Sequence, residues 1–73
     1  MIKIGDSGEE VKDLQRRLVR LGFGPLEVDG QFGPATASAL RLYQAAEGLI
    51  ADGICGPASW RALRQEELAS SSR

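Results

Sequence analysis

Val11, Leu14, Leu18 and Leu21 recur three and four positions apart, and mostly charged or amide residues fill the places between them. That spacing predicts a helix with a single apolar stripe. Ser7-Gly8-Glu9-Glu10 marks its start as a capping box, in which the serine hydroxyl and a carboxylate three residues on satisfy open amides. Acids gather early (Asp6, Glu9, Glu10, Asp13) and bases late (Arg16, Arg17, Arg20), as the helix macrodipole prefers. Gly22 supplies a left-handed stop, so the first helix is predicted from Gly8 to Leu21.

Helical spacing returns in Ala39, Leu40 and Tyr43, within a segment that opens at Pro34, a favoured first helical residue. This second helix is predicted to reach about Glu47, with Gly48 ending it. A third begins at Pro57 and runs to Glu67 or Leu68. Between the first two helices, Gly24-Pro25 and Asp29-Gly30 are turn signals, leaving Leu26 and Val28 room for only a very short extended segment. Residues 69–73, Ala-Ser-Ser-Ser-Arg, have the composition of the start of a linker or tail, which places the domain at residues 1–68. Three short helices must turn their stripes toward one another. The expected fold is all-α, a small three-helix bundle with turn-rich loops.

One segment is written twice. Residues 29–40, Asp-Gly-Gln-Phe-Gly-Pro-Ala-Thr-Ala-Ser-Ala-Leu, recur at 52–63 as Asp-Gly-Ile-Cys-Gly-Pro-Ala-Ser-Trp-Arg-Ala-Leu. Seven of the twelve columns are identical and Thr36/Ser59 is a conservative eighth, so one supersecondary unit is used twice. The unit reads as a tight turn that launches a helix.

Composition narrows the chemistry. A chain of 73 residues makes one domain with a modest core, and a deep water-excluding active site would compete for the same apolar residues. A formal charge of −1 with interspersed signs offers no footprint for nucleic acid or an anionic membrane. The absence of histidine removes the usual general base and metal ligand, and the single cysteine, Cys55, allows no internal disulfide. No cofactor or metal site is expected. Nothing at the N-terminus has the form of a signal peptide, and no apolar stretch approaches membrane-spanning length.

These residues resemble the peptidoglycan-binding domain of bacterial and phage cell-wall hydrolases. The resemblance is carried by Gly5-Asp6-Ser7-Gly8, Val11, Leu14-Gln15, Leu18 and Leu21-Gly22, then by 29–36, Ala39-Leu40, Tyr43-Gln44, Asp52-Gly53-Ile54 and Gly56-Pro57. It covers Ile4 to Leu63. Cys55 and Ser59 depart from the aliphatic or small residue and the threonine usual in the family. The resemblance implies a non-catalytic three-helix module, joined covalently to an amidase, peptidase, muramidase or transglycosylase, whose partner is peptidoglycan through its stem peptide, its glycan or both. A related domain in metalloproteinase propeptides serves another role, so the resemblance fixes the fold more firmly than the ligand.

Most of the marked residues have a structural use beside a functional one. Asp29 and Asp52 are expected to accept backbone N–H groups within their turns while Gly30 and Gly53 take a positive φ. Gln15 and Gln44 are expected to bond loop backbone from the core edge. Gly33-Pro34 and Gly56-Pro57 start helices, whose open amides also favour a ligand carboxylate. Phe23 and Phe32 are expected in the core, Tyr43 and Trp60 at the rim of a groove. Cys55 reads as a small core residue, and Arg41, Arg61 and Arg64 lie on solvated faces that a ligand carboxylate would suit. The candidate ligand-binding set is Asp29, Gln31, Phe32, Thr36, Tyr43, Ile54, Trp60 and Arg61, along one groove framed by both copies.

The leading functional expectation is a monomeric module that targets an attached hydrolase to the cell wall, as the N-terminal domain of a phage endolysin. A propeptide-like regulator packed on its own protease is the alternative. Cys55 sits inside the repeat, not in an exposed peptide beyond it, which argues against a cysteine switch. An enzyme in its own right has no histidine and no tuned carboxylate pair to work with.

Overall fold

The computed structural model describes residues 1–71, and side chains as far as Glu66. It contains α1 (Glu9–Arg20), α2 (Pro34–Ala46) and α3 (Pro57–Ser71), with no strand among the described residues and only two isolated antiparallel bridges, Ile2–Cys55 and Ser7–Gln31. The bundle expected from the stripes is therefore present.

The helix ends show where local signals hold. α1 carries Glu9 and Glu10 in its first turn and Arg17 and Arg20 in its last. Its N-cap is Gly8, with no side-chain cap, so the capping box centred on Ser7 does not form. Ser7 is instead held in its bridge to Gln31, and the Gly8 N–H donates to the Gly30 carbonyl at 2.9 Å. Tertiary pairing thus displaces a local cap.

At the other end of α1, Gly22 N–H reaches Val19 O at 3.1 Å and Phe23 N–H reaches Leu18 O at 2.9 Å, the paired bonds of a Schellman motif. The motif swings Phe23 onto the core edge and leaves Leu21 exposed, although the apolar spacing had put Leu21 on the stripe. α2 ends in the same way, with Gly48 N–H on Ala45 O at 3.2 Å and Leu49 N–H on Gln44 O at 2.8 Å. α3 passes its expected end and continues to Ser71, since no glycine or proline follows to stop it. Part of the predicted linker is therefore helical, and Ser72 and Arg73 lie outside the described residues.

The core takes Val11, Leu14 and Leu18 from α1, Ala37, Ala39, Leu40 and Tyr43 from α2 and Leu63 from α3, closed by Ile2, Phe32 and Cys55. The Phe23 ring meets Tyr43 edge to face, centroids 5.5 Å apart. Among the described residues no pairing involves Leu26 or Val28. The extended pairing comes from the N-terminal segment, which crosses both turns. Ile2 exchanges backbone bonds of 3.2 and 2.9 Å with Cys55, while Gly5 N–H donates to Phe32 O and Phe32 N–H to Asp6 O. Phe32 and Cys55 are the same column of the repeat, so one strand-like segment ties the two copies together.

Candidate binding site

Each Asp-Gly turn is clamped by a buried glutamine from the helix before it. The Gln15 amide nitrogen lies 3.1 Å from Asp29 Oδ1, 2.9 Å from the Gln31 carbonyl and 3.0 Å from Thr36 Oγ1, and its Oε1 accepts the Gly30 N–H at 2.8 Å. Gln44 repeats this with Asp52 Oδ1 (3.2 Å), the Ile54 carbonyl (2.9 Å), Ser59 Oγ (3.0 Å) and the Gly53 N–H (3.0 Å). Asp29 and Asp52 also accept the N–H two residues on, each at 3.0 Å, which closes an Asx turn. The expected structural use of both glutamines and both aspartates is what the structure shows.

The close approach of each turn to its helix explains the glycines. Gly30 and Gly53 have φ of +79° and +75°. A Cβ on Gly30 would lie 3.3 Å from the Gly8 carbonyl, and one on Gly53 3.1 Å from Arg41 Nη1 and 3.8 Å from Ala37 Cβ. The first turn therefore rests on the start of α1, the second on the first turns of α2.

The candidate site residues separate into three environments. Phe32, 3% exposed, is the core residue it was expected to be and so offers a ligand no surface despite its place in the candidate set, whereas Tyr43, 1% exposed, lies in the core and not at the expected groove rim. Hydrophobic demand in a domain with four aromatics claims them first. Thr36 is buried in the Gln15 clamp, and Ile54 is half-buried with its carbonyl given to Gln44. Asp29, Gln31 and Arg61 are exposed, and Ile54 and Trp60, both half-buried, keep part of their surface for a ligand.

Nor do they share one groove. Asp29, Gln31 and Thr36 line a concavity of about 530 Å³ with Leu26, Glu27 and the start of α2. Trp60 and Arg61 line another, of about 500 Å³, with Met1, Pro57, Arg64 and Gln65. A third, of about 540 Å³, lies between the end of α2 and α3 and includes Glu47, Arg61 and Glu66. Because each turn is bound to its own preceding helix, the copies open separate concavities instead of framing one.

Electrostatics follow the same division. The Gln31 N–H and then the Gln15 amide hold the Asp29 carboxyl below its usual range. Burial pushes the Cys55 thiol up to about 12, which suits a core residue and not a nucleophile. Burial, reinforced by Glu47 and Glu66, pushes Tyr43 up to about 12 as well, and its hydroxyl has no hydrogen-bond partner among the described residues. Arg64 and Pro57 were not in the candidate set. Their signal was the spacing 57, 60, 61, 64 and 65, which is one helix face.

Comparison with known proteins places this geometry. The sequence model of the family described as "Putative peptidoglycan binding domain" matches residues 7–63. A zinc D-Ala-D-Ala carboxypeptidase of Streptomyces albus G is 51% identical over 63 residues, covering 84% of this chain and 25% of that protein. The crystal structure of the SleB N-terminal domain superposes with a TM-score of 0.86 at 43% identity, covering 89% of each chain. A Burkholderia AP3 phage endolysin superposes with a TM-score of 0.81 at 40% identity, covering 99% of this chain and 25% of the endolysin. The chain thus spans about a quarter of the carboxypeptidase and of the endolysin.

Proposed function

The chain belongs to the putative peptidoglycan binding domain family, and we propose that it serves as the tether of a longer cell-wall hydrolase, as in a phage endolysin. It is the binding part of such proteins and not their catalytic part. The observation that carries the proposal is the family match over 57 consecutive residues, 7–63, together with relatives that are wall-acting enzymes several times longer than the match.

The mechanism is one of effective concentration. A weakly bound module holds its covalently attached catalytic domain near the bonds to be cut, so that the second encounter is intramolecular. A rigid, shallow surface is enough for this, and the clamped turns supply rigidity. We place the binding domain at residues 1–68, acting as a monomer at the cell wall, with the connection to the catalytic domain beyond it. No helix among the described residues is long and apolar enough to cross a membrane. A regulator working through an exposed thiol is disfavoured, because the single cysteine is fully buried.

Sedimentation with purified, protein-free sacculi tests the proposal. The chain is expected in the pellet, and its retention in the supernatant beside a pelleting wall binder would overturn it.

A further inference from the structure

Size does not distinguish the three concavities, but charge does. The one beside the first turn carries Glu27 and Asp29, and of its polar side chains the Gln15 amide and Thr36 hydroxyl are already committed to the clamp, which leaves the exposed Gln31 amide beside two acids. The one between α2 and α3 sets Glu47 and Glu66 against Arg61. The cleft along α3 holds Arg61 and Arg64, with no acid among the described residues of its lining. Among the described residues neither arginine takes part in an ion pair.

The duplication explains why this cleft is open. Columns 37 and 41 of α2, Ala37 and Arg41, lie under the second Asp-Gly turn at Gly53. The same columns of α3 are Trp60 and Arg64, and among the described residues no third turn covers them. Where α2 needs a small buried residue, α3 is free to carry a large one. Trp60 packs one side on the core and is half-buried, which fixes the ring at the cleft wall. Trp60 and Arg64 are one helical turn apart, with Arg61 beside them on the same face.

Resting on the peptidoglycan-binding reading, we propose that this α3 cleft is the ligand site and that its ligand is the carboxylate-bearing stem peptide. Arg61 and Arg64 donate to the stem carboxylates, and the aliphatic part of the peptide lies on Trp60 and Pro57. Guanidinium groups suit this role because they offer planar paired donors to a carboxylate. With a net charge of −1 the whole chain does not attract an anion, so the attraction is local to this face.

Trp60 is the chain's single tryptophan, so its emission reports on the cleft directly. The full chain is titrated with a disaccharide–stem-peptide muropeptide, with the same compound amidated at its carboxylates, and with the glycan disaccharide alone. The muropeptide is expected to shift the emission, amidation to weaken binding about tenfold, and the disaccharide to leave the spectrum unchanged. R61Q and R64Q, both surface changes, are each expected to reduce sacculus binding about tenfold with an unaltered circular dichroism spectrum. An equal response to the glycan alone overturns the stem-peptide assignment. Variants that pellet like the wild type, with unchanged Trp60 emission, overturn the site while leaving wall binding standing. A wild-type chain that does not pellet overturns both.

Discussion

The first copy of the repeat and the second share their clamp almost atom for atom, yet they differ in what they show to solvent. In both, a glutamine holds an aspartate, a glycine N–H, a backbone carbonyl and a β-hydroxyl with bonds of 2.8–3.2 Å. The identical columns are those that the turn and the helix start require, together with Ala39/Ala62 and Leu40/Leu63, which pack on the core. Of the five divergent columns, two are the most instructive. Phe32 and Cys55 face inward and differ in volume. Ala37 is covered by the next turn, while among the described residues no such turn covers Trp60. The copies teach that repetition here fixes architecture, while the proposed recognition face uses a column where the copies differ.

The largest effect comes from volume. Phe32→Ala is expected to cost about 3–5 kcal/mol, and Cys55→Ala only about 1 kcal/mol, because the first removes a whole buried ring. Urea denaturation midpoints would measure both. Equal costs would mean that the two inward columns are equivalent after all.

Next come the clamps. Gln15→Leu and Gln44→Leu each strand a buried glycine N–H and the clamp's acceptors, and each is expected to cost about 2–3 kcal/mol. Their costs should agree with each other if the clamps are energetically the same device. Within a clamp the hydroxyl matters less. The Gln15 amide has two hydrogens and three acceptors in reach, so Thr36→Val is expected to cost under about 1 kcal/mol. A Thr36→Val loss as large as that of Gln15→Leu would make the hydroxyl the true anchor.

A smaller effect, of opposite sign, is expected at Tyr43. Its hydroxyl is buried without a partner among the described residues, so Tyr43→Phe removes an unsatisfied group and is expected to stabilise the fold by up to about 1 kcal/mol. The folded pKa is raised, so the wild type holds its stability below the ordinary tyrosine pKa and loses it as pH climbs toward about 12. Tyr43→Phe should flatten the tyrosine part of that alkaline decline, with the Cys55 part remaining for Cys55→Ala to remove. A destabilised Tyr43→Phe chain would show that the hydroxyl has a partner in solution.

How much was legible in the sequence differs between local and tertiary signals. Pro34, Pro57, Gly22 and Gly48 marked helix ends because their constraints are local to the backbone. The glutamine clamps were legible as core-edge amides, since a buried amide must find backbone partners. Ser7 misled because a cap gives way when its residue is needed for a bridge to Gln31, and no local pattern encodes that competition. The rim placement of Tyr43 failed for a related reason. An amphipathic side chain suits a rim, but a domain with so few large apolar groups draws it inward and leaves its hydroxyl unpaired. The single groove failed because the repeat shows two turns but not which helix each will rest upon.

The smallest effect lies at Asp29, and it separates clamp from charge. The Gln31 N–H and the Gln15 amide favour the ionised carboxyl and depress its folded pKa. A depressed pKa contributes stability that is present above the ordinary carboxylate value and is lost as pH falls through the folded one. Asp29→Asn keeps an oxygen acceptor for both donors but cannot titrate. It should therefore lower stability slightly at neutral pH and shorten the acid limb of the stability profile below about pH 4, where the wild type is still losing its ionised carboxyl. Thermal melts of both chains between neutral pH and the acid limit would read the difference as converging curves. Curves that stay parallel would mean that Asp29 acts in the clamp as a hydrogen-bond acceptor alone, with its charge irrelevant to the fold.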